Sequence, residues 1–157
     1  MSLNNLAILL KQQRRLDEAE AMHRRALAMR ETLFGPSHVD VASSLHGLAI
    51  VHYMQGRFDA AEVMHRRALA MREELLGPSH VDIALSLNNL AILLKQQRRL
   101  DEAEAMHRRA LAMRETLFGP SHVDVASSLH GLAIVHYMQG RFDAAEVMHR
   151  RALAMRE

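Results

Sequence analysis

The stretch His23-Arg24-Arg25-Ala26-Leu27-Ala28-Met29-Arg30-Glu31 decides the fold, because the same nine residues return at 65–73, 107–115 and 149–157. The sequence therefore repeats with a period of 42 residues. Self-similarity at such a period is typical of stacked supersecondary units, in which no single unit buries its own apolar face. We interpret the chain as a repeat protein before considering any other class.

The repeats alternate between two versions. Residues 2–73 and 86–157 are identical at every position, so the larger unit is a pair of unlike repeats. Met1 stands where the second copy has Leu85. We therefore expect either a fragment of a longer array or an engineered chain, truncated within a repeat at both ends.

Composition predicts an all-α fold. The chain is 49% apolar and contains only 7 glycines and 3 prolines. Its abundant Ala, Leu, Met, Arg and Glu lose little side-chain freedom in a helix. With two helices per repeat, we predict eight helices in one domain over residues 1–157. The approximate repeats are 1–36, 37–78, 79–120 and 121–157.

Several classes of protein are excluded or disfavoured by the same composition. The absence of cysteine excludes disulfides and thiolate chemistry. No apolar run approaches the roughly 20 residues that span a bilayer, so we expect no membrane partner and take the cytoplasm as the default location. The formal net charge is only +2 at neutral pH, which weakens a nucleic-acid interpretation.

Local signals separate the helices. Gly35-Pro36 and its copies at Gly77 and Gly119 suit a helix end, since glycine adopts left-handed backbone and proline cannot continue the helix. Ser37 followed by Asp40 resembles a capping box for the next helix. A second break is predicted within each repeat. It falls at glycine in the second and fourth repeats and at Gln13-Arg14-Arg15 in the first.

The apolar positions also resemble a known signature. Its members are Leu45, Leu48-Ala49, Gly56, Phe58, Ala61, His65 and Ala68-Leu69. This pattern resembles the tetratricopeptide repeat, and the 42-residue period is similar to the kind found in kinesin light chains. Histidine occupies the usual aromatic position at His23, His65, His107 and His149, and Arg14 and Arg98 occupy a usual glycine position.

The resemblance implies a right-handed superhelical solenoid of helix-turn-helix repeats that binds an extended peptide or a helix in a concave groove. It also implies that Asn5 and Asn89 hold the backbone of a peptide, whereas Gly47 and Gly131 interrupt that ladder. On a helical wheel, the groove presents one set of side chains from each repeat. The sets are Asn4, Ile8, Lys11 and Gln12, then His46, Ile50, Tyr53 and Met54, then Asn88, Ile92, Lys95 and Gln96, then His130, Ile134, Tyr137 and Met138.

We expect a non-catalytic scaffold that needs no cofactor and no metal. The Ser37, His38 and Asp40 set contains triad residue types, but three residues on one helix cap rarely align as nucleophile, base and acid. Histidines never recur at the i,i+4 spacing of a zinc site. The alternative is a building-block solenoid with no ligand. In that case the sequence differences between unlike repeats at groove positions are drift on a tolerant surface.

Self-association is a further expectation, because arrays usually need polar terminal caps to stay soluble. We expect an uncovered face at one end of the chain to meet a complementary face at the other end. The residues are Met148, Ala152 and Met155 at one end and Leu3, Leu6 and Leu10 at the other. A head-to-tail contact would propagate, whereas a closed dimer would need exchanged terminal helices or a two-fold contact.

The histidine of the nine-residue block falls at the centre of an apolar arc. We expect burial to disfavour its charged form and so to lower its pKa in the folded state. Stability would then decline as the pH falls through the unfolded value.

Overall fold

The computed structural model describes the backbone of residues 3–156 and the side-chain environments of residues 12–155. Within these residues there is no strand, and the seven helices are α1 (Leu3–Phe34), α2 (Val39–Met54), α3 (Phe58–Leu76), α4 (Val81–Gln96), α5 (Leu100–Phe118), α6 (Val123–Met138) and α7 (Phe142–Arg156). None of them is long and apolar enough to cross a membrane. The all-α repeat class is confirmed, whereas the predicted count of eight helices is one too many.

The difference lies in α1, which runs unbroken through residues 13–15, where we predicted a turn. The identical sequence at 87–118 does turn, and there Arg98 has a φ of +63°. Left-handed backbone costs an L-amino acid about 1–2 kcal/mol. Gly56 and Gly140 take the same position in the other repeats at φ of +78° and +80°, without that penalty. A continuous helix lets residues 13–15 avoid the cost.

The boundaries between repeats follow the glycine signal, but the helix cap differs from the prediction. Gly35, Gly77 and Gly119 all have left-handed φ values. The N-cap of α2 is His38, whose Nδ1 accepts the backbone N–H of Asp40 at 3.0 Å. The predicted Ser37 capping box is wrong, because the imidazole nitrogen takes the place expected for the hydroxyl.

The chain divides into two compact units, residues 1–71 and 72–157. In the first unit α1 packs against α2. The buried core cluster of this unit consists of Val41, Ala42 and Leu45 from α2 and of Ala68 and Met71 from α3. Leu27 and Met64 pack against it. Leu48, Ala49 and His52 of α2 are buried too.

The second unit contains the end of α3 and helices α4 to α7. Each of the pairs α4–α5, α5–α6 and α6–α7 is in contact, and α4 also meets α6. One core cluster joins α5, α6 and α7 through Leu111, Val125, Leu129, Leu132 and Ala152. In α4 the fully buried side chains are Ile83, Leu87, Leu90, Leu93 and Leu94. The first helix of each hairpin is thus the more apolar one, as the sequence pattern indicates.

Candidate functional site

The predicted groove residues that the structure describes all lie outside the buried cores. Those that are exposed are Gln12, Ile50, Met54, Gln96, His130 and Tyr137. Those that are half-buried are His46, Tyr53, Asn88, Asn89, Ile92, Lys95, Ile134 and Met138. The remaining predicted residues, Asn4, Asn5, Ile8 and Lys11, lie outside the described side chains. Every first helix with described side chains therefore has an accessible mixed face opposite its core face.

A cavity of about 530 Å³ opens on this mixed face where α6 meets α7 in the second unit. Its apolar lining comes from Ala133, Ile134, Tyr137, Phe142 and Ala145. The Tyr137 and Phe142 rings meet nearly edge to face, with centroids 5.2 Å apart. Their exposed fractions are 65% and 60%, so the aromatic pair stands open to solvent. Two of the predicted groove residues thus converge on one apolar concavity.

The rim of the cavity is polar. Glu146 and Arg150 form an ion pair at 2.6 Å, and both line the opening together with His149. The His149 ring in turn lies 5.5 Å from the ring of His130 on α6. The site can therefore receive an apolar side chain at its floor, while charged and imidazole groups remain at the edge.

The first unit contains the same residues in a related arrangement. Tyr53 and Phe58 have ring centroids 5.5 Å apart, and Glu62 accepts a 2.8 Å hydrogen bond from Arg66. His65, however, is buried, whereas its counterpart on the rim of the α6–α7 cavity is exposed. At the α6–α7 cavity the equivalent imidazole is therefore accessible to solvent.

The histidine of the nine-residue block packs directly against glycine of the following first helix. A Cβ added to Gly131 would lie 2.5 Å from Cε1 of His107, and one added to Gly47 would lie 2.6 Å from Cε1 of His23. These glycines make room for an imidazole ring. The sequence interpretation of an interrupted asparagine ladder missed this close approach between glycine and imidazole.

Burial of His107 changes its acidity as the sequence predicts. The side chain is 1% exposed and its Nδ1 has no hydrogen-bond partner within the described residues. Burial lowers the pKa of His107 to about 4, and the positive charges of Lys95 and Arg114 act in the same direction. This imidazole is neutral at physiological pH and is a packing group.

Asparagines of α4 face the accessible side of that helix. Asn88 and Asn89 are both half-buried. The Oδ1 atom of Asn88 is buried without a hydrogen-bond partner among the residues with described side chains. An unsatisfied buried acceptor of this kind costs free energy.

A repeated arginine contact joins the helix that carries the nine-residue block to the first helix of the following repeat. Sequence reasoning missed this contact. Arg114 Nη1 donates to the Asp124 carbonyl oxygen at 3.2 Å and to Ser128 Oγ at 3.0 Å. The equivalent donors are Arg30 to Asp40 and Ser44, and Arg72 to Asp82 and Ser86. The available signal was a serine 14 residues after each arginine.

A second polar cluster surrounds a buried histidine near the end of α6. The Nδ1 atom of His136 lies 3.2 Å from Gln139 Oε1 and 3.4 Å from Glu104 Oε1. Glu104 also accepts a 2.7 Å hydrogen bond from Arg141. The same cluster recurs around His52 in the first unit. These contacts satisfy a polar group inside the helix packing.

Two other sequence features find structural partners. His38 Nδ1 caps α2 and so does not orient a serine nucleophile. The first arginine of each Arg-Arg pair forms an ion pair with the glutamate four residues earlier. The distances are 3.7 Å for Arg24, 2.8 Å for Arg66, 3.5 Å for Arg108 and 2.6 Å for Arg150. The charges of these four arginines are therefore compensated by neighbouring glutamates.

The predicted self-association residues of α7 occupy different positions from those expected. Ala152 is buried, and Met148 and Met155 pack against the core cluster of α5 and α6. The expectation that they lie uncovered is wrong for Ala152, and the two methionines are half-buried. The exposed apolar side chains of this helix are Phe142, Val147 and Leu153. Leu3, Leu6 and Leu10 lie outside the described side chains.

These features define a helical repeat protein with an accessible apolar and aromatic concavity and without a catalytic cluster among its described residues. A sequence model of the tetratricopeptide repeat family matches residues 1–74, 64–116 and 82–157. The chain belongs to the tetratricopeptide repeat family. Proteins of this family generally mediate protein–protein interaction and are typically non-catalytic scaffolds.

Solved structures agree with this assignment. BtubC (BKLC) from P. vanneervenii is 29% identical, with a TM-score of 0.85 over 96% of this chain and 60% of that one. The nearly identical TPR-like repeats of a kinesin light chain candidate from Podosopora anserina are 20% identical, with a TM-score of 0.81 over 96% of this chain and 72% of that one. A point-mutant form of those repeats, also 20% identical, gives a TM-score of 0.82 over 96% of this chain and 71% of that one. None of the curated protein sequences compared matches the chain.

Proposed function

We propose that this chain is a non-catalytic interaction scaffold that binds an extended peptide or a helix of a partner protein. In the second unit the segment would lie on the mixed faces of α4 and α6, with one large apolar side chain in the α6–α7 cavity. The observation that carries this proposal is the cavity itself, with its exposed Tyr137 and Phe142 pair. We keep the cytoplasm as the expected compartment.

The size and the chemistry of the site support such a ligand. A volume of about 530 Å³ lies within the roughly 300–1,000 Å³ range of ligand pockets. Aromatic side chains that are exposed in the free protein give large contact area when a partner covers them. The cavity offers an apolar floor. The favoured ligand is thus a segment with a leucine, methionine or aromatic anchor.

A peptide-display selection against the chain, followed by calorimetry of the selected peptides, tests the proposal. We expect selected sequences to share a large apolar anchor, and Tyr137→Ala to weaken their binding at least about tenfold, as expected for a central interface residue. The matched control is Val123→Ala, which removes a 73% exposed side chain from the same helix outside the cavity. Equal affinities for both variants, or no selected peptide at all, would contradict the proposal and favour a building block without a ligand.

A further inference from the structure

One sequence adopts two conformations in this chain. Residues 3–34 form a single helix of 32 residues, whereas the identical residues 87–118 form the end of α4, a turn and α5. In the second conformation α4 folds back antiparallel onto α5, and the two helices are in extensive contact. In the first conformation the leading residues continue along the helix axis, away from residues 16–34.

On α5, one side of the helix is covered by α4. The corresponding side of α1 is exposed. Met22 of α1 is 73% exposed, whereas its counterpart Met106 is half-buried. Leu33 of α1 is 72% exposed, whereas its counterpart Leu117 is 41% exposed. Met29 is 57% exposed and its counterpart is half-buried. The second half of α1 thus presents an apolar surface, and the part of it nearest residue 16 is covered in the other copy of the sequence, where α4 packs antiparallel against α5.

The segment that fits this surface is residues 3–13, which are identical to residues 87–97. In α4 this sequence supplies Leu87, Leu90, Leu93 and Leu94, all fully buried. Within a straight α1 the segment cannot reach residues 16–34 of its own chain. A second copy of the chain can deliver the same segment to that surface, with the same contacts that α4 makes on α5.

The hinge decides between the closed hairpin and the straight helix. Closing the hairpin puts residue 14 in the position of Arg98, where a side-chain-bearing residue adopts a φ of +63°. The repeats that use glycine at this position, Gly56 and Gly140, turn without that cost. Arginine at position 14 therefore disfavours the closed form, and it is also a good helix former that suits the straight form.

We propose that two copies of this chain exchange residues 3–13, so that the two α1 helices lie antiparallel and each leading segment packs against residues 16–26 of the other α1, where Met22 is exposed. A 32-residue helix is roughly 48 Å long at 1.5 Å per residue, and the two-fold axis would pass near residues 13–15. The contact is isologous and closes on itself, so it yields a dimer and no fibre. This inference is independent of the proposed peptide-binding site on α6 and α7.

Sedimentation equilibrium over a concentration series tests the exchange. We expect a monomer–dimer equilibrium for the native chain and a dissociation constant raised at least about tenfold by Arg14→Gly, which removes the penalty of the closed turn and weakens the straight helix. The matched control is Arg98→Gly, the same change in the same sequence context where the turn is already closed. We expect it to leave the dissociation constant unchanged.

A cross-link distinguishes exchange from end-to-end stacking. The chain has no cysteine, so Gln13→Cys places one thiol beside the proposed two-fold axis. We expect rapid intermolecular disulfide formation in this variant and none in Gln97→Cys, the identical position in the closed turn. A native chain that stays monomeric throughout, a dimer indifferent to Arg14→Gly, or a ladder of larger oligomers without the cross-link would each overturn the proposal.

Discussion

The imidazole ring of His107 fills the space that a side chain on Gly131 would need, since a Cβ there would lie 2.5 Å from Cε1 of the ring. Alanine in place of glycine within a helix normally stabilises it by about 1 kcal/mol. Here we predict that Gly131→Ala lowers the free energy of unfolding by about 1–3 kcal/mol, the usual cost of overpacking. Urea unfolding at pH 7.5 measures the change.

The control for this prediction is Gly47→Ala, which places the same methyl group against His23. That ring is half-buried and has room to move, so the loss should be smaller. In a His107→Ala background the Gly131→Ala change should become neutral or stabilising. If Gly131→Ala stabilises the native chain, the packing description is wrong.

Buried His107 should make stability depend on pH. The unfolded chain binds a proton near pH 6.5, whereas the folded pKa is about 4. Stability is therefore complete above pH 6.5, falls as the pH drops from 6.5 to 4, and changes no further below that. The full effect is about 3 kcal/mol. We expect His107→Leu to lose this component, measured as the difference in unfolding free energy between pH 7.5 and pH 4.5.

The contact between Arg114 and Ser128 should contribute measurably to stability, because a buried hydroxyl accepts from a charged donor. We predict that Ser128→Ala lowers the free energy of unfolding by about 1.5–3 kcal/mol. Ser127→Ala is the adjacent control, since Ser127 is exposed while Ser128 is buried. Similar unfolding midpoints for the two variants would show that the arginine contact contributes nothing.

The left-handed turn at Arg98 should respond to glycine in the opposite sense from most helix-flanking sites. We predict that Arg98→Gly raises the free energy of unfolding by up to about 1 kcal/mol, because the penalty at φ +63° is removed while the unfolded chain gains freedom. The reverse change, Gly140→Arg, should destabilise by a similar amount. Thermal unfolding of the two variants checks both signs.

The core and the repeat boundaries could be predicted from the sequence because they depend on local chemistry. Apolar periodicity predicted the buried side of α2, and glycine followed by proline predicted the left-handed ends of the second helices. The mixed face that includes Ile134 and Tyr137 could be predicted from the same wheel. Its convergence with Phe142 in one cavity could not, because Phe142 belongs to the next helix.

The other differences arise where packing decides between locally equivalent states. Gln13-Arg14-Arg15 contains good helix formers, so its conformation depends on what covers the neighbouring segments. Arginine side chains are usually solvated, yet Arg114 is 5% exposed and hydrogen-bonded. Ala152 faces its own hairpin and does not remain uncovered.

The central claim is that the α6–α7 cavity binds a partner segment, and methyl NMR tests it most directly. Isoleucine occurs at 134 in the cavity lining and at 83 in the core of α4. On titration with a display-selected peptide, we predict that the Ile134 δ-methyl signal shifts in proportion to occupancy while the Ile83 signal stays in place. An Ile134 signal that does not move when calorimetry reports saturation would contradict the claim.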